Sequence, residues 1–590
     1  MYRLLWTDTW LSDEIKKLTP GTYALDIETT GLDPFENEVL LIQVMKDTWD
    51  NVLIINAREV PNHVIIDYLQ ALNKIAEIII LHNAKFDIKF LMHKYGWVPK
   101  RGVIYDTQIA EFVMYNGLVQ KYTSLKNLIK KYLGKDIDKE IRLSFIDFPE
   151  DGEFTEELLE YAADDAALLF DICSSQQYYL VKNNLMRVIE IENELVTAVA
   201  KMELAGVAMD IPKWLDLYKE NVDKAEEISK TLSEMARSIT HAEFYSKRYD
   251  KTNEYDFSDG SYNPNSSQQT VALLNARGND IKSSGEEILT YLDDEFAKIL
   301  LEYRKYKKRA STYGLNIIEM LNPYTGRLHA TFNQLGPASG RFASMGPNMQ
   351  NVPVEKKYRH CFISPDGRVL ITADYSQIEL RLAGEMAHEE KFILAYNNDE
   401  DVHQLTASII GRSRQDGKTF NFMIMYGAEA YKASITFGIP REEAEQLVMN
   451  WRDGLESLSN FLEETKEHLR TYGWVETMSG RRRYFDLPDT STKQGWVKMN
   501  TYYREACNHP IQGTSADMTK IAITNLFYRL QEYDAYPILT VHDEITVECN
   551  EKDGEMIQKI VLEEMIKAGA VFLKEIPVKA ESQLGKVWDH

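Results

Sequence analysis

The stretch Thr22–Glu28 reads T-Y-A-L-D-I-E and is followed by the turn-forming sequence T-T-G. Side chains along it alternate between two faces, which is the period-two pattern of a β-strand. Asp26 and Glu28 therefore project side by side from one face of the predicted strand. Two neighbouring carboxylates repel each other unless a cation lies between them. The stretch predicts a strand that presents two acidic ligands to a metal ion.

Two further acidic residues are predicted to join this pair. The apolar stretch Ile78–Leu81 predicts another strand, and Asp87 follows it at the start of an amphipathic segment. A helix is predicted to begin near Thr155, whose side chain can cap its first turn. On that helix Tyr161 and Asp165 are four residues apart and share one face. The predicted acidic set is therefore Asp26, Glu28, Asp87 and Asp165.

A second acidic set lies in the C-terminal half of the chain. Val369–Ala373 is predicted to be an apolar strand that ends at Asp374. Pro537–Val541 and Ile545–Val547 are predicted to be the strands of a β-hairpin that has His542-Asp543-Glu544 at its tip. If these strands adjoin in one sheet, Asp374 and Asp543 converge and can share two metal ions.

A basic and aromatic row lies between the members of the second set. Its members recur every four residues: Arg414, Lys418, Phe422 and Tyr426. Such a row drifts by only about 40° per step around an α-helix, so one helix face presents two cations followed by two rings. The cations can hold a triphosphate, and the rings can stack against a base or a sugar.

These residues resemble two known families. The first acidic set, with Tyr161 four residues before Asp165, resembles the DEDD superfamily of 3′-5′ exonucleases over about residues 20–175. The second set and the row resemble family A DNA polymerases, the group of bacterial DNA polymerase I and its phage relatives. Motif A is Asp374–Glu379, motif B is Arg414–Gly427 and motif C is Val541–Glu544. Further matches are Ser339–Arg341, Asn348–Pro353, Asp401–His403, and Arg504 with Asn508, Gln512 and Gly513.

The resemblance implies an α/β multidomain fold. We expect an RNase H-like 3′-5′ exonuclease domain at residues 1–185 and a right-hand polymerase domain at residues 186–590. Within the hand, the thumb is expected at about 186–330, the palm at about 331–400 and 480–590, and the fingers at about 401–479. Because the exonuclease motif begins at Asp26, we expect no separate 5′ nuclease domain, as in phage or organellar enzymes. A fragment of a larger polymerase is the alternative.

The resemblance also implies catalytic roles for the acidic residues. Two Mg²⁺ ions are expected at each site, with Mn²⁺ as the alternative metal. In the exonuclease site the expected ligands are Asp26, Glu28, Asp87 and Asp165, and Tyr161 is expected to position the attacking water. In the polymerase site they are Asp374, Asp543 and the main-chain carbonyl of Tyr375, with Glu544 as a nearby support.

Contacts to nucleotide and DNA are implied in the same way. Glu379 resembles the steric gate of the family, whose side chain fills the space that a ribose 2′-hydroxyl would need. Phe422 lacks the phenolic hydroxyl with which some phage enzymes accept dideoxynucleotides, so we expect strong discrimination against dideoxy terminators. The expected nucleotide-binding residues are Glu379, His403, Arg414, Lys418, Phe422 and Tyr426. The expected contacts to the DNA minor groove are Arg341, Arg504, Asn508, Gln512 and His542.

Composition sets further expectations. The length of 590 residues favours about three or four domains. The formal net charge of −24 argues mildly against nucleic-acid binding, but a local basic channel can lie on an acidic protein. The four cysteines are scattered, so we expect reduced thiols. With neither a leader nor a membrane span in the sequence, we expect a soluble protein in the cytoplasm of a bacterium or a phage-infected cell. An organelle is the alternative where a transit peptide has been removed.

The expected function is template-directed, DNA-dependent DNA polymerisation with 3′-5′ proofreading, in the service of DNA replication. Primer-template DNA and deoxynucleoside triphosphates are the expected partners, with helicase, primase and single-strand-binding protein as further candidates. We expect a monomer without membrane contact. The main alternative is a 3′-5′ exonuclease with an inactive, DNA-binding polymerase-like domain. A single-subunit RNA polymerase, against which Glu379 argues, and a catalytically silent scaffold are the others.

Overall fold

The computed structural model describes residues 2–5, 7–118, 123–136 and 140–589. The chain divides into two compact units. The first runs up to Val207, resumes at His329–Asn351 and continues from Ser364 onward, and the second comprises Ala208–Leu328 and Val352–Ile363. No helix among the described residues is both long and apolar enough to cross a bilayer. The predicted limits of the exonuclease, thumb, palm and fingers stay predictions.

The N-terminal part of the first unit is a six-stranded sheet of order β1-β4-β3-β2-β5-β6. Strand β2 is antiparallel to β3 and parallel to β5, so it occupies the middle of the sheet. The strands are β1 Tyr2–Leu5, β2 Gly21–Thr29, β3 Val39–Lys46, β4 Val52–Asn56, β5 Ala76–Leu81 and β6 Ile104–Asp106. The helices are α1 Asp8–Ile15, α2 Asn62–Ile75, α3 Ala84–Tyr95, α4 Thr107–Met114, α5 Leu125–Leu133, α6 Glu156–Ala167 and α7 Leu169–Lys182.

The strand predicted at Thr22–Glu28 lies within β2, and the predicted start of α6 is also observed. Tyr23 and Leu25 are fully buried in the core of this sheet. The Thr155 side chain caps α6 by accepting a hydrogen bond of 3.3 Å from the Leu158 amide. A short 3₁₀ helix, Ile141–Phe145, precedes this helix, and the long helix α8 Met186–Ala205 follows α7 in the same unit.

The second unit is mostly helical. Its core includes the buried side chains of Phe257, Phe296 and Leu300. In chain order its first elements are β7 Ala208–Met209, α9 Ile211–Ala236, β8 Ala242–Ser246, β9 Lys251–Tyr255, α10 Ser267–Ala276, α11 Glu286–Leu289, α12 Glu295–Thr312 and α13 Asn316–Glu319. The chain then forms β10 Thr331–Asn333 and β11 Ala343–Met345 in the first unit. It returns to the second unit with α14 Lys356–Arg359 and β12 Phe362–Ile363.

The C-terminal part of the first unit is built on an antiparallel sheet of order β16-β17-β13-β18. Its strands are β13 Arg368–Tyr375, β16 Ala535–Val541, β17 Glu544–Asn550 and β18 Ala580–Gly585, and a separate hairpin pairs β14 Trp474–Glu476 with β15 Arg482–Tyr484. The helices are α15 Ile378–Ala387, α16 Glu390–Asn397, α17 Val402–Ile410, α18 Arg414–Met425, α19 Ala430–Phe437, α20 Arg441–Gly454, α21 Glu456–Tyr472, α22 Lys493–Arg529 and α23 Gly554–Gly569. Short 3₁₀ helices lie at Met349–Asn351, Leu530–Glu532 and Glu551–Asp553.

Candidate active sites

The first acidic site forms where β2 faces α6. Carboxylate oxygens of Asp26, Glu28 and Asp165 lie within 4.8 Å of one another. Within the part of the chain that the structure describes, these three residues form the only such group of potential metal ligands. The donor set consists of oxygens alone, which suits Mg²⁺ or Mn²⁺. The structure therefore brings together three of the four acids predicted for this site.

Asp87, the fourth predicted acid, lines the same cavity from the first turn of α3. Asn83 precedes this helix in the left-handed conformation, with a φ of 61°. The buried Asp106 accepts hydrogen bonds from the amides of Ala84 and Asn83, at 2.7 and 3.1 Å, and so holds the start of α3. Sequence analysis missed Asp106, although an aspartate directly before the helix α4 is a typical capping signal.

The electrostatics of the first site favour a bound cation. Burial, followed by the charges of Asp26 and Asp165, raises the pKa of Glu28 well above its ordinary value, and Arg142 opposes this rise. Burial, followed by Asp26, likewise raises the pKa of Asp87. A divalent cation would stabilise the ionised forms of these crowded carboxylates. The four acids therefore fit the metal site that the sequence predicted.

Tyr161 lies on α6 one turn before Asp165 and lines the same cavity, whose volume is about 210 Å³. Burial, followed by the charge of Asp165, raises the pKa of its phenol, so the hydroxyl stays protonated and can donate a hydrogen bond. The lining also includes the apolar side chains of Leu32, Phe86 and Phe145, together with polar or charged residues at His82, Asn83, Gln108, Ser124 and Arg142. The cavity therefore combines a group of carboxylates with apolar and polar side chains that can contact a base or a sugar.

The second acidic site forms at one end of the C-terminal sheet. Strand β13 pairs with β17, and Asp374 lies directly opposite Glu544 in the register. Asp543 and His542 form the turn between β16 and β17, and His542 has a φ of 57°. Glu544 was expected in this turn but is the first residue of β17, because it pairs with Val541 and Asp374. The two strands adjoin in one sheet, as the predicted convergence of Asp374 and Asp543 requires.

Two neighbouring side chains at this site are held by buried hydrogen bonds. The Tyr375 hydroxyl donates to the main-chain oxygen of Met565 at 2.8 Å, so its side chain points into the core. Trp588 donates from Nε1 to Oε1 of Glu544 at 2.6 Å, and both residues are buried. Sequence analysis missed Trp588, since it lies beyond every recognised motif and no local pattern connects it with Glu544.

The environment of Asp543 also favours a cation. Burial is the main cause that raises the pKa of Asp543 to about 6, and the charges of Glu379 and Glu544 add to it while Arg341 opposes. A divalent cation beside Asp543 would hold it ionised at neutral pH. The acidic residues present at this site therefore fit a metal ion.

The basic and aromatic row lies on α18, as predicted. A capping box of Ser413 and Asp416 begins the helix, and Tyr426 caps its C-terminal end. Lys418 is exposed, and Arg414 is exposed while its Nε donates to the carboxylate of Asp401. Both cations lie on accessible surface, where an anionic ligand can reach them.

The ring of His403 on α17 extends this face. It lies 6.2 Å from the ring of Phe422, which in turn lies 6.0 Å from that of Tyr426. Burial lowers the pKa of His403, and Arg414 and Lys418 add to the effect while Asp401 opposes it. At Gly417 an added Cβ would lie 2.4 Å from the main-chain oxygen of His403, so the glycine allows α17 and α18 to pack this closely.

Glu379 lies in the first turn of α15 and connects two other predicted residues, Arg341 and Tyr426. One carboxylate oxygen accepts a hydrogen bond from Arg341 and the other accepts one from the Tyr426 hydroxyl. The structure therefore places the predicted gate residue between a predicted DNA contact and the end of α18.

The remaining predicted DNA contacts lie on α22 and in the β16–β17 turn. Arg504, Asn508 and Gln512 follow one another at four-residue intervals on α22 and share a face. Arg504 lies beside the end of α18, since an added Cβ at Gly427 would be 3.0 Å from its Cα. His542 is exposed in its turn. The roles assigned to these residues stay predictions.

Comparison with known families covers nearly the whole chain. A family model described as DNA polymerase family A matches residues 231–590. A second model, described as 3'-5' exonuclease, matches residues 3–180. The acidic site of Asp26, Glu28, Asp87 and Asp165 lies within the exonuclease match. The acidic site of Asp374 and Asp543 lies within the polymerase match, as does α18.

Several bacterial proteins are similar in sequence. DNA polymerase I of Pseudomonas aeruginosa is 28% identical over 99% of this chain, which spans 64% of that protein. The thermostable DNA polymerase I of Thermus filiformis is 32% identical over 74% of this chain, across 52% of its own length. The chain thus spans about half to two thirds of the length of these relatives.

A solved structure shares the fold. It is the polymerase domain of Pol1 from M. smegmatis in complex with DNA primer-template and dNTP, and each chain is covered to 98% with a TM-score of 0.80. The sequences are 22% identical, so this likeness bears on the fold alone. It confirms the predicted combination of an RNase H-like exonuclease fold with a right-hand polymerase fold.

Proposed function

We propose that this chain, which belongs to DNA polymerase family A, extends DNA primers on a template strand and removes nucleotides from primer 3′ ends. One observation carries the proposal: the described residues hold two separate acidic sites, and the second lies beside the face of α18 that bears cations and rings. The first site, taken by itself, is suited to hydrolysis. The second, with α18, is suited to binding a triphosphate.

At the first site Asp26, Glu28, Asp87 and Asp165 would hold the metal ions. Bound Mg²⁺ would lower the pKa of a water molecule and stabilise charge on the phosphorus oxygens. Tyr161 would orient the water through its protonated hydroxyl. The apolar side chains of Leu32, Phe86 and Phe145 would contact the terminal nucleotide. This arrangement supports hydrolysis of the 3′-terminal phosphodiester.

At the second site Asp374 and Asp543 would be the metal ligands, with the main-chain carbonyl of Tyr375 beside them. Bound Mg²⁺ would neutralise charge on the triphosphate. Arg414, Lys418 and His403 would bind its phosphates, Phe422 would pack against the nucleotide, and Tyr426 would stack at the templating position. Glu544, held by Trp588, would support the ligands from β17.

Glu379 would select the sugar, and the DNA contacts would test the terminal pair. With its carboxylate held by Arg341 and Tyr426, Glu379 would occupy the space that a 2′-hydroxyl needs. Arg341, Arg504, Asn508, Gln512 and His542 would contact minor-groove acceptors that correct pairs share. A mispaired end would lose such contacts and extend slowly, which gives the exonuclease site time to act.

The proposed substrates are primer-template DNA and deoxynucleoside triphosphates, with two Mg²⁺ or Mn²⁺ ions at each site. The solved polymerase of the same fold contains a primer-template and a dNTP, which supports this choice. We further propose that the chain acts as a monomer in DNA replication, beside helicase, primase and single-strand-binding protein. The bacterial source of the similar proteins supports a cytoplasmic location.

A labelled primer-template with Mg²⁺ tests both activities, with and without the four deoxynucleotides. We expect extension with nucleotides and 3′ shortening without them. The pair of substitutions Asp26→Asn and Glu28→Gln preserves side-chain shape, and it should reduce shortening by about a thousandfold while extension continues. Asp543→Asn should instead reduce extension while shortening continues.

Shortening without extension in the unmodified protein would contradict the polymerase activity and leave an exonuclease with an inert second site. Extension by Asp543→Asn at the unmodified rate would contradict the assignment of the second site. Shortening that survives the double substitution at Asp26 and Glu28 would contradict the assignment of the first.

A further inference from the structure

The turn Asn116–Gly117 lies in the exonuclease-matched part of the chain but contacts two segments of the polymerase-matched part. Nδ2 of Asn116 donates to the main-chain oxygens of Ala338, at 2.7 Å, and Arg482, at 2.9 Å. The Asn116 main-chain oxygen accepts from the Tyr484 amide at 2.9 Å. Gly117 has a φ of 92°, and an added Cβ would lie 2.6 Å from the Tyr484 oxygen. One asparagine thus joins the β14–β15 hairpin to the segment that contains Ala338.

That segment leads directly to Arg341. It begins at Gln334, just after β10, and we call residues Gln334–Arg341 the arginine loop. The main-chain oxygen of Gln334 accepts a hydrogen bond from Lys520 at 2.7 Å. The side-chain Nε2 of Gln334 donates to the Glu192 carboxylate at 2.6 Å. The loop is therefore held at its start by buried side chains and near its middle by Asn116.

The end of the arginine loop rests on Arg481. Gly340 has a φ of 83°, and an added Cβ there would lie 2.7 Å from Nε of Arg481. Arg481 is fully buried and donates from Nε to Asp517 at 2.9 Å. It also pairs with Glu192, which accepts from Lys520 as well. Two cations and two carboxylates thus form a buried, hydrogen-bonded support beneath the loop.

The arginine loop delivers its last residue to the second acidic site. Arg341 donates to Glu379, and its charge also acts on Asp543. The position of the Arg341 guanidinium depends on its main chain, which the buried support holds from below and Asn116 holds through Ala338. The buried charges are unsuited to a functional test, because removing one partner leaves an unpaired buried charge and destabilises the fold. Asn116 is only half-buried and uncharged, so it can be changed more safely.

We propose that Asn116 is a positioning residue of the polymerase site, which it serves from within the exonuclease part of the chain by holding Arg341 in place. This inference rests on the proposed polymerase function. It predicts that loss of the Asn116 amide impairs extension of correctly paired primer ends, where Arg341 makes its DNA contact. Extension of mispaired ends, where that contact is already lost, should change little.

The test compares Asn116→Ala with Asn73→Ala in a chain that also carries Asp26→Asn and Glu28→Gln, so that degradation does not obscure extension. Asn73 is a matched control, because its Nδ2 donates to Val98 at 2.9 Å within the exonuclease part alone. We expect Asn116→Ala to lower kcat/KM from a paired end by roughly threefold to tenfold, the effect of one or two hydrogen bonds. We expect no more than a twofold change from a mispaired end, and none in either case for Asn73→Ala.

Two further measurements separate positioning from general loosening. Arg341→Ala should remove the preference for a paired end, and adding Asn116→Ala to it should cause no further loss. In the chain with its acidic residues intact, degradation of single-stranded DNA should be the same for Asn116→Ala and the unmodified protein. Equal losses from paired and mispaired ends, or independent effects of Asn116 and Arg341, would overturn the proposal.

Hydrogen exchange provides a readout that does not depend on polymerase activity. Asn116→Ala should lower exchange protection in the arginine loop, and Asn73→Ala should not. If the unmodified protein fails to extend primers, the proposed function is wrong, whereas unchanged protection in the loop overturns the positioning role itself. Asn116→Gln retains the amide but displaces it by one methylene, and it should show a smaller loss of the same kind if Asn116→Ala proves too unstable to purify.

Discussion

The Tyr426 hydroxyl donates a hydrogen bond to the carboxylate of Glu379, which joins the end of α18 to the start of α15. The two residues are 47 positions apart in the chain. Burial, followed by the charge of Glu379, raises the pKa of Tyr426, so the phenol remains a donor. Arg341 donates to the other carboxylate oxygen. Both oxygens of the Glu379 carboxylate are thereby held by hydrogen bonds.

Glu379→Ala should weaken discrimination against ribonucleotides. The substitution removes the side chain that would fill the space of a 2′-hydroxyl. We expect the preference for deoxynucleotides, measured as a ratio of kcat/KM values, to fall by about tenfold or more, equivalent to about 1.4 kcal/mol. Glu379→Gln keeps the volume and should retain most of the preference. An unchanged ratio in Glu379→Ala would argue against the gate.

Phe422→Tyr should increase acceptance of dideoxynucleotides. The ring is only partly buried and lies on α18 beside His403 and Tyr426, on the face where we propose that the nucleotide binds, so a new hydroxyl would be able to contact the sugar. We expect the incorporation ratio of dideoxy- to deoxynucleotide to rise by about tenfold or more in single-nucleotide assays. Phe422→Leu, which adds no hydroxyl, should not raise it. Efficient termination by the unmodified protein would contradict the role assigned to this phenylalanine.

Trp588→Phe should slow synthesis without affecting degradation. The change removes the Nε1 donor to Glu544 and leaves a buried carboxylate oxygen without that hydrogen bond. A hydrogen bond to a charged group contributes about 1.5–3 kcal/mol, so we expect kcat for extension to fall by about tenfold. Degradation of single-stranded DNA serves as the internal reference. Trp496→Phe, at an exposed tryptophan, should alter neither rate, and equal rates for both variants would show that Glu544 does not need its partner.

His509 should make the protein less stable in mild acid. Burial lowers its pKa from 6.5 to about 4, and its Nε2 lies 3.0 Å from the Arg481 oxygen, to which it donates when neutral. Between these two pH values the unfolded chain binds a proton that the folded chain does not. The contribution of His509 to the free energy of unfolding is therefore complete above pH 6.5 and is lost as the pH falls towards 4.

The expected loss from this one group between pH 7 and 5 is about 2 kcal/mol. His509→Gln can still donate to Arg481 but does not titrate, so its urea denaturation should depend less on pH by about this amount. If His509→Gln and the unmodified protein lose stability in parallel, the acid sensitivity comes from other groups.

The sequence predicted the locally encoded parts of both sites. Alternation along β2 placed Asp26 and Glu28 on one face, and four-residue spacing placed Tyr161 with Asp165 and aligned the row on α18. These patterns follow from the repeat of a strand or a helix, so they can be recognised before the chain folds. Motif order was enough to predict the family and the fold, which the comparisons confirmed.

Only the tertiary structure decided which distant side chains meet. Trp588 reaches Glu544 across 44 positions, Arg341 reaches Glu379 across 38, and Asn116 reaches Ala338 across 222. No backbone repeat relates residues at such separations, because their contact depends on how sheets and helices pack. The sequence by itself determined the family, the fold and the strand and helix positions of the residues that we predict to bind metal and phosphate, and the packing determined which neighbours hold those residues in place.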